Sequence, residues 1–264
     1  MSQVDEAVLD LTTTEASLLA DVLGVAPPPG LLDPLGDADH APTPVGSGAA
    51  GSLIERRILD EEGTVAAPVA DLLTVVGSPH LLTRAVYEIG GEAEIRSYAV
   101  RPEMGVEQRR LAGEVARFTP FDPSELVGRV LAFVAPGDCT EDEGSDLSDL
   151  GRLTFECSSS VIDEVFTAGT DEGSAAAALE ADGVATAPAE AFAKAAANLR
   201  STSSLTVLHR PAKDEIVGVE LTWMDSDRHG LWLIEPGPKP SRQTIEPIAR
   251  PDLIERLAAF LPST

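Results

Sequence analysis

A short pattern that occurs twice, 120 positions apart, is the feature that most constrains this chain. The segment LDEEGTVAAP at 59–68 returns as LEADGVATAP at 179–188. The shared residues are Leu59, Gly63, Ala67 and Pro68 in the first copy and Leu179, Gly183, Ala187 and Pro188 in the second. A unit of roughly 110–120 residues is too long for a solenoid repeat. The repetition therefore predicts a pseudo-two-fold domain that arose by internal duplication.

Each half also ends in a similar amphipathic segment. ELVGRVLAFV at 125–134 resembles DLIERLAAFL at 252–261 in both apolar spacing and identity. The matched pairs are Leu126/Leu253, Val127/Ile254, Arg129/Arg256, Val130/Leu257, Ala132/Ala259 and Phe133/Phe260. We expect both segments to be helices that close their halves on equivalent parts of the core.

The charge of the chain excludes several classes of partner. It has 44 acidic and 19 basic residues, a formal net charge of −25. Such a chain repels phosphate backbones and anionic lipids, so we expect no nucleic acid partner. The N-terminus lacks the basic and apolar regions of a secretory signal, and no apolar run reaches about 18 residues. These patterns predict a cytoplasmic protein without membrane insertion.

The division of the chain follows from its composition. Residues 135–150 include PGDCTEDEGSDLSDL, a run dense in carboxylates that is typical of a solvated linker. We predict an N-terminal half-repeat at 1–134, this acidic linker, and a C-terminal half-repeat at 151–264, folding as one cooperative domain. A Pro- and Gly-rich connector is expected at 26–51.

The periodicity within each half predicts two helices, a four-stranded meander and a closing helix. The first helix begins at Thr12 with Glu15 completing a capping box, and Gly24 ends it. Gly90 and Gly91 form a two-residue hairpin turn. The expected strands are Leu81–Ile89, Ala93–Val100, Met104–Leu111, Glu114–Phe121, Leu205–Arg210, Ile216–Met224, Gly230–Glu235 and Gln243–Ile248. Without βαβ alternation, the class is α+β with an antiparallel sheet.

Motifs that carry catalysis are absent from the sequence. It contains no P-loop, GxGxxG, HExxH or GxSxG pattern, so neither an enzyme nor a cofactor site is expected. In MDSDRHG at 224–230, Asp225, Asp227 and His229 could bind a divalent metal. Short polar residues followed by glycine also suit a hairpin loop, which is the favoured interpretation. Cys157 has no nearby histidine to activate it as a nucleophile.

Two tryptophans flank that loop in a chain with only 4% aromatic residues. Trp223 and Trp232 fit a core aromatic pair on one sheet. They also fit an exposed binding surface, because tryptophan is enriched at interface hot spots. The sequence leaves both interpretations open.

The second half carries a recognisable series of residues. Ser204-Leu205-Thr206-Val207 leads to a strand with Leu221-Thr222-Trp223, then Met224-Asp225-Ser226-Asp227, then Gly230-Leu231-Trp232 and a terminal amphipathic helix. This series resembles the EspG family, chaperones associated with type VII (ESX) secretion in actinobacteria. Met224 and Leu231 depart from the aromatic residue and arginine more usual there. The order of elements matches over nearly the whole chain.

The resemblance implies a pseudo-two-fold α/β sandwich, in which one central antiparallel sheet carries two helical bundles. It implies an adaptor that binds a helical secretion substrate, typically the apolar tip of a PPE protein in a PE–PPE heterodimer, or a WXG-motif protein. The family's contact surface lies on the sheet and the C-terminal helices. The candidate partner-binding residues are Trp223, Trp232, Leu253, Leu257 and Phe260. An immunity-type binding module and a metal-dependent enzyme are the alternatives.

Overall fold

The computed structural model describes residues 8–28, 47–134, 153–212, 215–227, 229–239 and 241–261. Within these ranges the strands are β1 (Leu9–Thr12), β2 (Leu81–Ile89), β3 (Glu92–Arg101), β4 (Met104–Arg110), β5 (Val115–Phe121), β6 (Phe155–Ser158), β7 (Leu199–Ala212), β8 (Glu215–Ser226), β9 (Gly230–Pro236) and β10 (Arg242–Ile248). The α-helices are α1 (Thr13–Leu23), α2 (Ser47–Glu55), α3 (Ala67–Gly77), α4 (Leu126–Val134), α5 (Ser159–Ala168), α6 (Glu172–Ala181), α7 (Thr186–Ala197) and α8 (Arg250–Phe260).

All the described strands join one antiparallel sheet whose order is palindromic. The order is β1-β5-β4-β3-β2-β7-β8-β9-β10-β6, so each half repeats the same five-strand arrangement and the halves meet at β2 and β7. The predicted α+β class and central antiparallel sheet are confirmed. Internal duplication as the origin of this symmetry stays a prediction.

The sheet has a fifth strand in each half that the sequence did not predict. β1 and β6 have four residues each and lie at the two outer edges, paired to β5 and β10. Such short edge strands lack the length over which alternation becomes visible. Helix α5, which follows β6, was also missed.

Helices cover the two faces of the sheet differently. On the face we call the front, α4 and α8 lie over the centre, and their apolar side chains join one core with β2, β3, β7, β8 and β9. On the opposite face, the back, α1–α3 cover the N-terminal half and α5–α7 cover the C-terminal half. The back face thus carries two separate helical bundles, one at each end of the sheet.

The repeated sequence pattern has the same local role in both halves. Gly63 and Gly183 adopt left-handed backbone with φ of 84° and 94°, a conformation that glycine takes without steric cost. In both copies the chain then enters a helix, α3 or α7, with Pro68 and Pro188 near its start. Proline suits this position because the first turn needs no intrahelical N–H donor.

The capping and turn predictions are confirmed. Thr12 Oγ1 accepts a hydrogen bond from the Glu15 N–H, and the Glu15 carboxylate accepts one from the Thr12 N–H. Gly24 ends α1 in left-handed backbone. Gly90 and Gly91 both have positive φ, as a two-residue turn between paired strands requires.

Other local predictions need adjustment. Helix α2 begins at Ser47, inside the connector expected at 26–51. The buried face of α1 is formed by Ala16, Leu19 and Ala20, whereas Val22 is 45% exposed. The acidic linker 135–150 lies outside the described residues, as do residues 29–46 of the connector.

Candidate partner-binding groove

The centre of the back face forms a groove between the two helical bundles. Its floor is made by β2, β7 and β8, with flanking β3, and its apolar side chains are half-buried. Val86, Ile95 and Leu208 lie on this floor and belong to none of the three apolar cores. Val86 and Ile95 are directly opposite each other on β2 and β3. This floor is therefore apolar surface that the described helices leave partly open.

Small hydroxyl side chains complete the floor. Ser204 and Thr206 on β7 lie opposite Thr222 and Glu220 on β8, and the three hydroxyl residues are half-buried. Their hydroxyl groups can donate or accept hydrogen bonds and project little from the sheet. The floor can thus approach a partner closely while satisfying its polar groups.

One side of the groove deepens into a cavity of about 610 Å³ between α5 and strands β8–β10. Helix α5 contributes Ile162 and Phe166, and the sheet contributes Thr222, Ile234 and Pro236. The volume lies within the range of pockets that hold a small ligand or several side chains. Because the cavity opens beside the groove floor, one bound partner could fill both.

The five candidate residues from the sequence lie elsewhere. Trp223 is 2% exposed in the front core, together with fully buried Leu253 and Leu257 of α8. Trp232 is 2% exposed in the back core under α5–α7, and Phe260 is half-buried against the front core. The interpretation of the tryptophans as an exposed surface is wrong, because facing helices cover both. A role in partner binding stays a prediction, and for the four buried residues it would act through the packing of the sheet.

The two tryptophans also do not pair with each other. In the β8–β9 register Trp223 lies opposite Leu233, and Met224 lies opposite Trp232. Directly opposed residues share a face, so the two rings lie on opposite faces of the sheet. Trp232 instead contacts Phe192 edge-on at 5.3 Å between ring centroids.

The segment considered as a metal site forms a hairpin connection. Ser226 pairs with Gly230, whose φ of 72° is left-handed, as the hairpin interpretation requires. The buried Asp225 forms an ion pair with Arg200. His229 accepts a hydrogen bond at its carbonyl from the Trp232 indole N–H at 3.0 Å. No group of three metal-ligating side chains occurs in the described part of the chain.

Cys157 lies in the core under α5–α7 on the back face and is fully buried. Burial, aided by the charge of Asp182, raises the pKa of its thiol to about 12. At neutral pH the nucleophilic thiolate is therefore scarce.

The groove residues could be found in the sequence only in part. Val86 and Ile95 lie in strands that the sequence predicted, but alternation alone does not say which face a helix covers. Ile162 and Phe166 follow the i, i+4 spacing of an apolar helix face, a signal that would have identified α5.

The fold of this chain has a counterpart among solved structures. No curated protein matches the sequence. The fold is similar to that of a Mycobacterium tuberculosis protein, the type VII secretion system chaperone EspG5, solved in complex with a PE25–PPE41 dimer. The match has a TM-score of 0.62 and 13% identity, and covers 96% of this chain and 95% of the other.

Two further observations bear on the class of protein. Among the helices that the structure describes, none combines the length and apolar character needed to cross a membrane. A family model matches residues 12–259, nearly the whole chain, and that model describes the EspG family. The match spans both halves and the groove between them, so the chain belongs to the EspG family.

Proposed function

We propose that this protein is a cytoplasmic chaperone for type VII secretion substrates and that it acts by binding, without catalysis. Membership of the EspG family supports this proposal, as does the similarity of its fold to EspG5. The observation that carries it is the half-open apolar floor at Val86, Ile95 and Leu208, beside the cavity under α5. Apolar surface that a protein's own helices leave partly open is typical of a protein interaction site.

The shape of the groove suits the end of a helical hairpin. The two back-face bundles form its walls, and the cavity accepts apolar side chains beside Ile162 and Phe166. Covering apolar surface on both partners contributes about 25 cal/mol for each Å² removed from water. The hydroxyl groups of Ser204 and Thr222 can bind backbone groups exposed at the turn of the hairpin.

The cargo that fits best is an elongated helical heterodimer of the PE–PPE type. EspG5 is in complex with a PE25–PPE41 dimer. A hairpin tip with apolar residues needs shielding from water before export, and the groove offers matching apolar surface. In this proposal the groove takes the place of Trp223, Trp232, Leu253, Leu257 and Phe260 as the contact surface.

The test is co-purification of a secretion substrate with wild-type protein and two serine variants. Ser204→Tyr places a large ring on the groove floor. Ser160→Tyr adds the same ring at an exposed position on α5 that does not line the cavity. We expect the wild type and Ser160→Tyr to retain a helical type VII substrate at near-equal amounts, and Ser204→Tyr to lose it. Equal retention by both folded variants would show that cargo does not use the groove.

A further inference from the structure

The cavity beside the groove carries two carboxylates at its edge. Asp163 of α5 and Glu220 of β8 line it and are exposed, around an apolar interior that includes Ile162, Phe166 and Ile234. Among the lining residues that the structure describes, none is a lysine or an arginine. The cavity therefore combines an apolar interior with negative charge at its edge.

Neither carboxylate is neutralised by a described side chain. The neighbouring acids differ: Asp182 binds Arg242 at 3.3 Å, and Glu235 binds Arg256 at 3.6 Å. Asp163 and Glu220 form no ion pair with any residue whose side chain the structure describes. Their charge is thus available to a partner.

Arg84, a described basic residue of the groove floor, forms no ion pair with either carboxylate. Arg84 on β2 lies in register with Thr206 on β7, which in turn lies opposite Glu220 on β8. Two strand spacings separate the backbones of Arg84 and Glu220 by roughly 10 Å. A concave site with uncompensated charge concentrates the electrostatic potential at its opening.

We propose that the cargo of this chaperone presents a lysine or arginine beside the apolar residues of its tip, and that Asp163 and Glu220 select for it. The inference rests on the proposed function of the groove and adds the charge of its partner. An apolar residue would enter the cavity and the cation would stay at its edge, within reach of both carboxylates. A cargo with an acidic tip would be rejected, because like charges would face each other in a partly desolvated site.

The test uses a phage-displayed helical hairpin whose turn residues are randomised. The library is selected separately on the wild-type protein, on Asp163→Asn/Glu220→Gln, and on the control Glu164→Gln, an exposed acid of α5 outside the cavity. We expect wild type and Glu164→Gln to enrich turns that combine apolar residues with lysine or arginine. The double variant should keep the apolar enrichment and lose the basic one.

Affinity measurements on selected hairpins complete the test. Each of the two carboxylates should raise the affinity for a hairpin with a basic turn about two- to five-fold, which is the range of exposed ion pairs. The gain should shrink as salt shortens the electrostatic range. If the wild type and the double variant enrich lysine and arginine equally, the enrichment comes from the net charge of the protein. That result would overturn the inference and leave the groove as a binding site. Failure to enrich any hairpin would overturn the proposed function itself.

Discussion

Ala85 of β2 lies directly opposite Leu205 of β7 in the central strand pair, and both side chains are fully buried in the front core. They are 120 positions apart, the same offset that separates the two copies of the repeated sequence pattern. Equivalent positions of the two halves therefore meet at the centre of the sheet. The seam between the halves is a packed strand pair that belongs to one core rather than a linker between two.

Truncating Leu205 should destabilise both halves together. Leu205→Ala removes apolar contacts at the seam and should lower the free energy of unfolding by about 2–5 kcal/mol, the usual range for a buried leucine. The control is Leu199→Ala on the same strand, where the side chain is 40% exposed and the loss should be under about 1 kcal/mol. Chemical denaturation followed by circular dichroism measures both.

The shape of the denaturation curve tests the prediction of one cooperative domain. Residues 1–134 and 151–264 contribute to the same front core, so a single transition is expected for wild type and for Leu205→Ala. Two separated transitions, with only one moved by the substitution, would instead show that the half-repeats fold independently.

Glu15 links α1 to α2 through its carboxylate, and the residue is buried, with only 4% of its surface exposed. It accepts hydrogen bonds from the Thr12 N–H and the Ser52 hydroxyl, and it forms an ion pair with Arg56 at 3.3 Å. Burial alone would raise the pKa of Glu15, but these partners together hold it below its ordinary value.

The sign of this shift predicts a loss of stability in acid. Because the folded pKa is depressed, the contribution of Glu15 is present above the unfolded pKa and is lost as pH falls through the folded pKa. Glu15→Gln should lower the free energy of unfolding by about 1–3 kcal/mol at neutral pH. The difference in this free energy between the variant and the wild type should become smaller in acid. Glu55→Gln, an exposed change on α2, serves as the control. A difference that stays constant over the acid range would contradict the assigned role of the charge.

The sequence predicted elements better than it predicted their surroundings. β2 to β5 and β7 to β10 were visible because each has at least seven residues, with apolar, β-branched or aromatic side chains between turn residues. The opposite faces of Trp223 and Trp232 follow from the Ser226–Gly230 pairing, but that register depends on the turn geometry, which composition alone does not fix. Nor does periodicity say which face a helix covers, so the groove could not be located from the pattern.

Arg256 bridges two glutamates on the front face. Its Nη1 lies 3.6 Å from Glu235 Oε2, and its Nη2 lies 3.1 Å from Glu246 Oε1. Burial raises the pKa of Glu235, Arg256 opposes that rise, and the charge of Glu246 adds to it. The folded protein thus binds a proton at Glu235 more readily than the unfolded chain does.

Removing Arg256 should make the stability of the protein depend more steeply on pH. A raised folded pKa means that stability is greatest below the unfolded pKa and falls as pH rises through the folded pKa. Arg256→Ala leaves Glu235 and Glu246 without their shared cation. We therefore expect the free energy of unfolding to fall by up to about 1 kcal/mol at neutral pH, and by less in acid. Thermal unfolding over a pH series measures this, with the exposed Arg110→Ala as control. An equal loss at every pH would rule out a charge effect.

The burial of Cys157 predicts an unreactive thiol in the native protein. Its pKa of about 12 and its full burial both disfavour attack on a disulfide reagent. In a Cys139→Ser background Cys157 is the single cysteine, so each modified molecule reports on it. We expect negligible reaction with Ellman's reagent in native buffer at mildly alkaline pH, and one equivalent in concentrated guanidinium chloride. Because Cys157 packs under α5, whose side chains line the cavity, rapid native reaction would show that the bundle beside the groove opens readily.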